Sequence, residues 1–507
     1  MATPSEKLAS SLEVLKRIQD RGIIAIRSTE LTRTHRVRLV EAGFIQEVLK
    51  GWYIPARPDE TAGESTAWFT SYWNFCAAYL TERFGEDWCL SPEQSLQIHA
   101  GNKTVPVQLF VRANQAKNGI THLIFDTSIL EVRANIPASN EIVTDEHGLR
   151  IFSLPVALVS CAKDFYVRSA TDARTALAMI RDSSEILSYL LEGGHSVIAG
   201  RLTGAFRNIG RTRIADGIMN GMKSAGYTVQ ETDPFTVQSS IILSPRVTSP
   251  YVNRLRLMWQ EMRHPVIDIF PQSSGLPTDK GAYLKQVADN FVNDAYNSLS
   301  IEGYRVSPEL IEHVRSGSWQ PETNEQDKQH RDAMAARGYW QAFQAVQKSL
   351  ESILNNENAG DVADKDHILW YREMFSPSVT AGILKASDLA GYRNHPVYIR
   401  RSKHVPPSAD AVRDLMPAFF DLLKEEENAA VRVVLGHFVF VYIHPYIDGN
   451  GRTGRFLMNV MMASGGYPWT VIPLERRNDY MGALEKASTE QDISAFTQFL
   501  AELVTKN

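Results

Sequence analysis

Twelve residues bring together the most reactive chemistry in this sequence: His444-Pro445-Tyr446-Ile447-Asp448-Gly449-Asn450-Gly451-Arg452-Thr453-Gly454-Arg455. Histidine is the side chain best suited to take a proton near neutral pH, so His444 is a candidate general base. Asp448 is a hard oxygen donor of the kind Mg²⁺ accepts, one or two carboxylates at a time, with phosphates and water completing its shell. Gly449, Asn450 and Gly451 reach positive φ cheaply, which lets successive N–H groups converge on an anion at the start of a following helix. Arg452 and Arg455 are three apart, so they share a helical face near that positive end and can fork onto phosphate oxygens. Chemistry at a polyphosphate is implied.

Two helices must hold this loop. Val433 to Ile443 is apolar except for Gly436 and His437, which predicts a buried helix. Arg452 to Ser464 predicts a second, anchored by Phe456, Leu457, Val460 and Met461 and ended by Gly465-Gly466. The twelve residues resemble the Fic/DOC-fold signature, His-x-Phe-x-(Asp/Glu)-Gly-Asn-Gly-Arg-x-x-Arg, with Tyr446 where the family usually has Phe. That position packs rather than reacts.

The resemblance implies a mostly α-helical Fic fold with a β-hairpin flap, running from about 284 to 503. It also implies transfer of AMP from ATP to a Ser, Thr or Tyr hydroxyl of a protein, self-modification included, with Mg²⁺. His444 would be the base and Asp448 the metal ligand. Asn450 and the nest of Gly449 and Gly451 would hold the α-phosphate region, and Arg452 and Arg455 the β- and γ-phosphates. Self-association switches some members of the family, so a homodimer is admitted.

Further stretches fit the same resemblance. Leu284, Val287, Ala288, Phe291, Ala295 and Leu299 form the stripe of a helix over about 284–303 that stops at Gly303. Within it, Ser298-Leu-Ser-Ile-Glu302-Gly303 is similar to the family's inhibitory pattern, (Ser/Thr)-x-x-x-Glu-(Gly/Asn). That implies a Glu302 carboxylate on Arg455, which removes a bidentate arginine from phosphate binding. Gly391 to Pro407 resembles the flap, so Val397, Tyr398 and Ile399 would pin an extended target segment by main-chain hydrogen bonds. Glu475 to Leu484 resembles the segment whose tyrosine lies near adenine, here Tyr480. Glu322 to Gln347 is charged and then helical, and is expected as scaffold.

The rest of the 507 residues divides by composition. Residues 1–60 predict a winged helix-turn-helix: a helix over Glu6–Gln19, a short apolar stretch, a helix over Thr32–Ala42, then a two-stranded wing over Phe44–Ile54. From Lys16 to Arg57 there are nine Lys/Arg against four Asp/Glu, and Arg33, Arg36 and Arg38 are candidate DNA contacts. Residues 61–240 predict an α/β domain, with strands at Val105–Val111, Leu123–Phe125 and Ile151–Phe152 and helices at Ala67–Thr81 and Asp172–Glu192. The run from Leu39 to Pro55, and more loosely the whole N-terminal half, resembles AbiEi-type antitoxins, which implies a regulatory role. Residues 241–280 are a proline-rich connector and 281–507 the catalytic domain.

Composition excludes some roles. A net charge of −5 with pI near 6.3 argues against a wholly basic nucleic-acid coat. Three scattered cysteines suggest neither a disulfide framework nor a zinc cluster but buried thiols. The first residues lack a signal pattern, and no apolar run reaches the roughly 20 residues of a spanning helix, so a cytoplasmic protein without membrane contact is expected. Two other reactions stay open on the same site, removal of AMP by water and transfer of another phosphate-containing group. So does a DNA-binding regulator whose catalytic half senses nucleotide.

Overall fold

The computed structural model describes residues 3–58, 64–239, 249–317 and 331–506. The chain divides into two compact units, 1–254 with 398–405, and 255–397 with 406–507.

In the first unit a capping box starts the chain: Thr3 and Glu6 satisfy each other's backbone N–H groups at 2.7 and 3.2 Å and open α1 (Pro4–Asp20). Then come β1 (Ile26–Arg27), α2 (Arg33–Glu41), β2 (Ile45–Leu49) and β3 (Trp52–Pro55), the strands ordered β1-β3-β2. Leu15 and Ile18 of α1, Leu39 of α2 and Ile26, Ile45 and Tyr53 of the strands close a small core. This is the expected order of elements, wing included.

A four-stranded sheet follows, ordered β4 (Trp88–Leu90), β5 (Gln108–Ala113), β7 (Ser128–Arg133), β6 (Ile120–His122). Only β5 and β7 run parallel. A short pair, β8 (Ile142–Thr144) and β9 (Arg150–Phe152), lies beside it in the chain. The aromatic run of α3 (Thr66–Phe84) shares one core with this sheet, Trp68, Tyr72 and Phe75 meeting edge to face. α4 (Pro92–His99) separates β4 and β5. The remainder is helical: α5 (Leu154–Ser160), α6 (Phe165–Arg168), α7 (Ala170–Met179), α8 (Ser184–Glu192), α9 (Ser196–Asn208) and α10 (Thr212–Ser224).

Three expectations need correction here. Leu123–Phe125 is a turn rather than a strand, with Phe125 and Asp126 at φ 52° and 54°. The helix expected over Asp172–Glu192 is two helices, α7 and α8. Residues 241–248 of the connector lie outside the described residues, and most of the rest is one long helix, α11 (Pro250–Ile269), inside which the two units divide; its first proline sits where no N–H is needed. The three cysteines are buried and unbridged, and burial pushes their thiols up.

The second unit is helical: α12 (Lys280–Asp289), α13 (Phe291–Ile301), α14 (Pro308–Arg315), α15 (Arg331–Leu354), α16 (Ala359–Thr380), α17 (Ala409–Glu425), α18 (Ala429–Ile443), α19 (Asn450–Ser464), α20 (Arg477–Glu490) and α21 (Ser494–Lys506). The single helix expected over 284–303 is thus broken at Asn290, and only α13 carries the inhibitory pattern. Residues 322–330 of the expected scaffold lie outside the described residues.

No hairpin forms at 391–407, which contains no strand. Val397, Tyr398 and Ile399 are half-buried and make no ladder. Pro396, Pro406 and Pro407 lack donors, and 398–405 is tied into the first unit instead. Arg400 and Arg401 reach the buried Glu64 carboxylate at 2.8 and 3.2 Å, and Lys403 O accepts from Val105 N at 2.9 Å.

Candidate active site

α18 forms because it is apolar nearly all round and buried nearly all round. Val433, Val434, Leu435, Phe438 and Phe440 are fully covered, each stabilising by roughly 1.5–3 kcal/mol. Pro445 disfavours a helical His444, so the helix stops there. His444 takes the left-handed conformation instead, φ 54° and ψ 60°. Its Nδ1 lies 3.0 Å from Val441 O. A carbonyl only accepts, so Nδ1 carries the proton and Nε2 the lone pair. Burial pulls the pKa of His444 below the ordinary value and Arg393 adds to this, which keeps the ring neutral.

The loop is braced from within. Asn450 Oδ1 accepts from Tyr446 N at 2.9 Å, and its Nδ2 donates to Tyr446 O at 2.8 Å. Its side chain therefore staples the loop. Tyr446 packs as its position predicts, stacked on Tyr371 with centroids 3.8 Å apart. Gly449, at φ 79°, begins α19, and a Cβ there would come within 2.7 Å of Phe375.

The two arginines sit inside the fold. Arg452 lies between the rings of Tyr304 and Phe375, 5.1 and 5.0 Å from their centroids, and 3.4 Å from the exposed carboxylate of Asp448. Its buried Nε has no hydrogen-bond partner among the described residues, nor has Nη1 of Arg455. Arg455 donates to Ser298 Oγ at 2.8 Å, Ser298 O at 3.0 Å and Glu302 Oε1 at 2.7 Å. Glu302 caps the C-terminus of α13, and a Cβ on Gly451 would meet its Oε1 at 2.3 Å. The carboxylate thus lies against the first turn of α19, where orphan N–H groups favour an anion. Burial opposes its charge, but Arg455 and then Arg452 outweigh this and hold its pKa below the ordinary range. In return Glu302 overcomes the burial of Arg455 and raises its pKa.

His444, Asp448, Gly451, Arg452, Arg455, Ser298 and Glu302 are accordingly drawn together. Tyr480 is buried against Phe496 and Phe499, with its hydroxyl 2.8 Å from His437 Nε2 and within reach of the charges of Arg455 and Glu302. On α2, Arg33 is exposed. Arg36 lies over Tyr53 and donates to Ser28 O, and Arg38 donates to Lys7 O, so two of the three are partly used inside their own module. Sequence reasoning missed Tyr304, Phe375, Arg393 and Asp294. Asp294, buried under Arg455, accepts from Tyr339 at 2.7 Å. Tyr304 and Phe375 lie outside every pattern read above, and Arg393 and Asp294 lie inside the flap-like and helical stretches without a motif position of their own. Among the described residues no three metal-ligating side chains cluster and no helix is long and apolar enough to cross a membrane.

A left-handed histidine, a glycine-opened helix start and two buried arginines suit an anion. Residues 364–462 match the Fic/DOC family, and the chain carries a Fic/DOC family domain there. Over 119 residues it is 40% identical to protein adenylyltransferase Fic of Drosophila willistoni and of Drosophila yakuba, 23% of this chain and 23% of each relative. The match thus spans about a quarter of those relatives' length. Solved structures similar to the chain include Fic-1 from C. elegans, 18% identical with a TM-score of 0.37, covering 64% of this chain and 89% of that one. Another is a Fic-domain signalling protein from Bacteroides thetaiotaomicron, 18% identical with a TM-score of 0.32, covering 50% and 94%.

Proposed function

We propose that the domain transfers AMP from ATP to a protein hydroxyl and that Glu302 holds it in check. One observation carries this reading: Glu302 occupies Arg455 and the first turn of α19, where the terminal phosphate of a nucleotide would lie. An acid of the same chain stands in for an anionic ligand.

His444 Nε2 takes the proton of the incoming hydroxyl. The oxygen attacks the α-phosphorus, forming the new P–O bond as the bond to the β-phosphate oxygen breaks, and pyrophosphate leaves. Arg452 and Arg455, whose Nε and Nη1 respectively lack partners among the described residues, hold the outer phosphates once Glu302 withdraws. The exposed carboxylate of Asp448 beside Arg452 fits Mg²⁺, which needs only one or two protein carboxylates. When bound, Mg²⁺ supplies neutralisation of phosphate charge. Positioning and electrostatics carry the catalysis.

The test is labelling with ATP radioactive at the α-phosphate, comparing wild type, Glu302→Gly and Glu302→Gly with His444→Ala, read on the protein itself and in cell extract. Strong label with Glu302→Gly alone is expected. If all three stay blank although ATP binds, AMP transfer is the wrong reaction.

A further inference from the structure

We propose that Arg393 is a positioning residue for the base, fixing the conformation in which His444 presents Nε2; this rests on the AMP-transfer reading above. Arg393 is 1% exposed. Its Nε donates to His444 O at 2.8 Å, its Nη2 to Pro407 O and, at 3.4 Å, to Ile443 O, and its Nη1 to His395 O at 3.2 Å. Its own backbone N–H donates to Pro445 O at 2.9 Å. One residue therefore holds three consecutive carbonyls of the catalytic loop, 443, 444 and 445.

Those carbonyls need holding. The last turn of α18 leaves C=O groups without intrahelical partners, and a non-glycine residue in the left-handed region costs roughly 1–2 kcal/mol. His444 sits there, and the direction of its ring depends on its staying there. In that conformation Nδ1 bonds back to Val441 O at 3.0 Å, which leaves Nε2 with the lone pair. Cations near a helix C-terminus are favoured, and the planar fork of arginine reaches carbonyls that diverge, which a single ammonium cannot match. The contacts to His395 and Pro407 also close the neck of the 394–406 excursion. His444 and both ends of that excursion thus share one guanidinium.

The experiment compares Arg393→Met and Arg393→Lys in the Glu302→Gly background, with the imidazole tautomer of His444 read by nitrogen-15 NMR. In Arg393→Met, kcat should fall by about 10- to 100-fold with KM for ATP little changed, and the single Nδ1–H tautomer should give way to a mixture. Arg393→Lys, which keeps the charge and part of the donor set, should recover part of both. An unchanged tautomer in Arg393→Met, or in Arg393→Lys if the methionine variant does not fold, overturns the proposal whatever happens to the rate. If Glu302→Gly transfers no AMP, the reaction assigned above fails, and the tautomer still decides the role of Arg393.

Discussion

At the scale of single residues, the site is set by which polar atoms are satisfied and which are left waiting. The Tyr446 hydroxyl is buried with no hydrogen-bond partner among the described residues, and a buried unsatisfied hydroxyl is costly. Tyr446→Phe should therefore raise unfolding stability, by about 1 kcal/mol, and leave transfer intact; a lower denaturation midpoint would show that the hydroxyl is bonded. Asp294 gives a prediction with a pH sign. Burial pushes its pKa up to about 6, against the opposing hydrogen bond from Tyr339 and the charge of Arg455. A folded-state pKa above the unfolded one means stability present at low pH and lost as pH rises through the folded value. Stability should thus decline between about pH 4 and pH 6 by an amount on the order of 3 kcal/mol that Asp294→Asn does not lose. Parallel denaturation curves for the two proteins across that window would refute the assignment.

At the scale of elements, α13, which carries Glu302 at its end, is held by more than that glutamate. Arg477 Nε donates to Ile301 O at 2.9 Å, and Asn297 Oδ1 accepts from Leu474 N at 2.8 Å. Gly303, at φ 90°, turns the chain so that Tyr304 lies over Arg452. Loosening this seat should release Glu302 without removing it. Arg477→Ala and Tyr304→Ala should each raise basal AMP transfer several-fold, about what one lost hydrogen bond or cation–π contact allows, and the gain should vanish in a Glu302→Gly background. A gain that persists there would mean these residues act on catalysis itself.

The same elements mark what was legible. The loop between α18 and α19 could be read because its residues are local and each has a chemical reason. The pairing of Glu302 with Arg455 came from a recognised pattern, and periodicity ran the helix straight through Asn290, since a junction in helical φ/ψ leaves the apolar stripe uninterrupted. The partners of Tyr480 and Asn450, His437 and the Tyr446 backbone, were not legible because they meet only once the chain folds. The flap failed for a related reason: turn residues were visible, but the acceptor that claims Arg400 and Arg401 lies more than 300 residues earlier.

At the scale of the whole molecule, the excursion 398–405 is the segment that the second unit's chain lends to the first. Glu64 is its fastening there. The carboxylate is 2% exposed, accepts from Thr66 Oγ1 at 2.6 Å, and meets Arg400 and Arg401, while Thr66 Oγ1 accepts from Arg401 N at 3.0 Å. Burial works against its charge, but Thr66 and Arg400 more than offset this and hold its pKa below the ordinary range, so the cluster stays charged through neutral pH. The arginines are more than half exposed, so each pair alone contributes little; what matters is the carboxylate that water does not reach. Glu64→Gln removes the charge and keeps the shape. Amides of 398–405 should then exchange with deuterium about ten-fold faster, the equivalent of roughly 1.4 kcal/mol of local opening, while the amides of α18 and α19 keep their protection. Unchanged exchange at 398–405 would assign the hold on this segment to Val105 and the apolar contacts of Val405 instead.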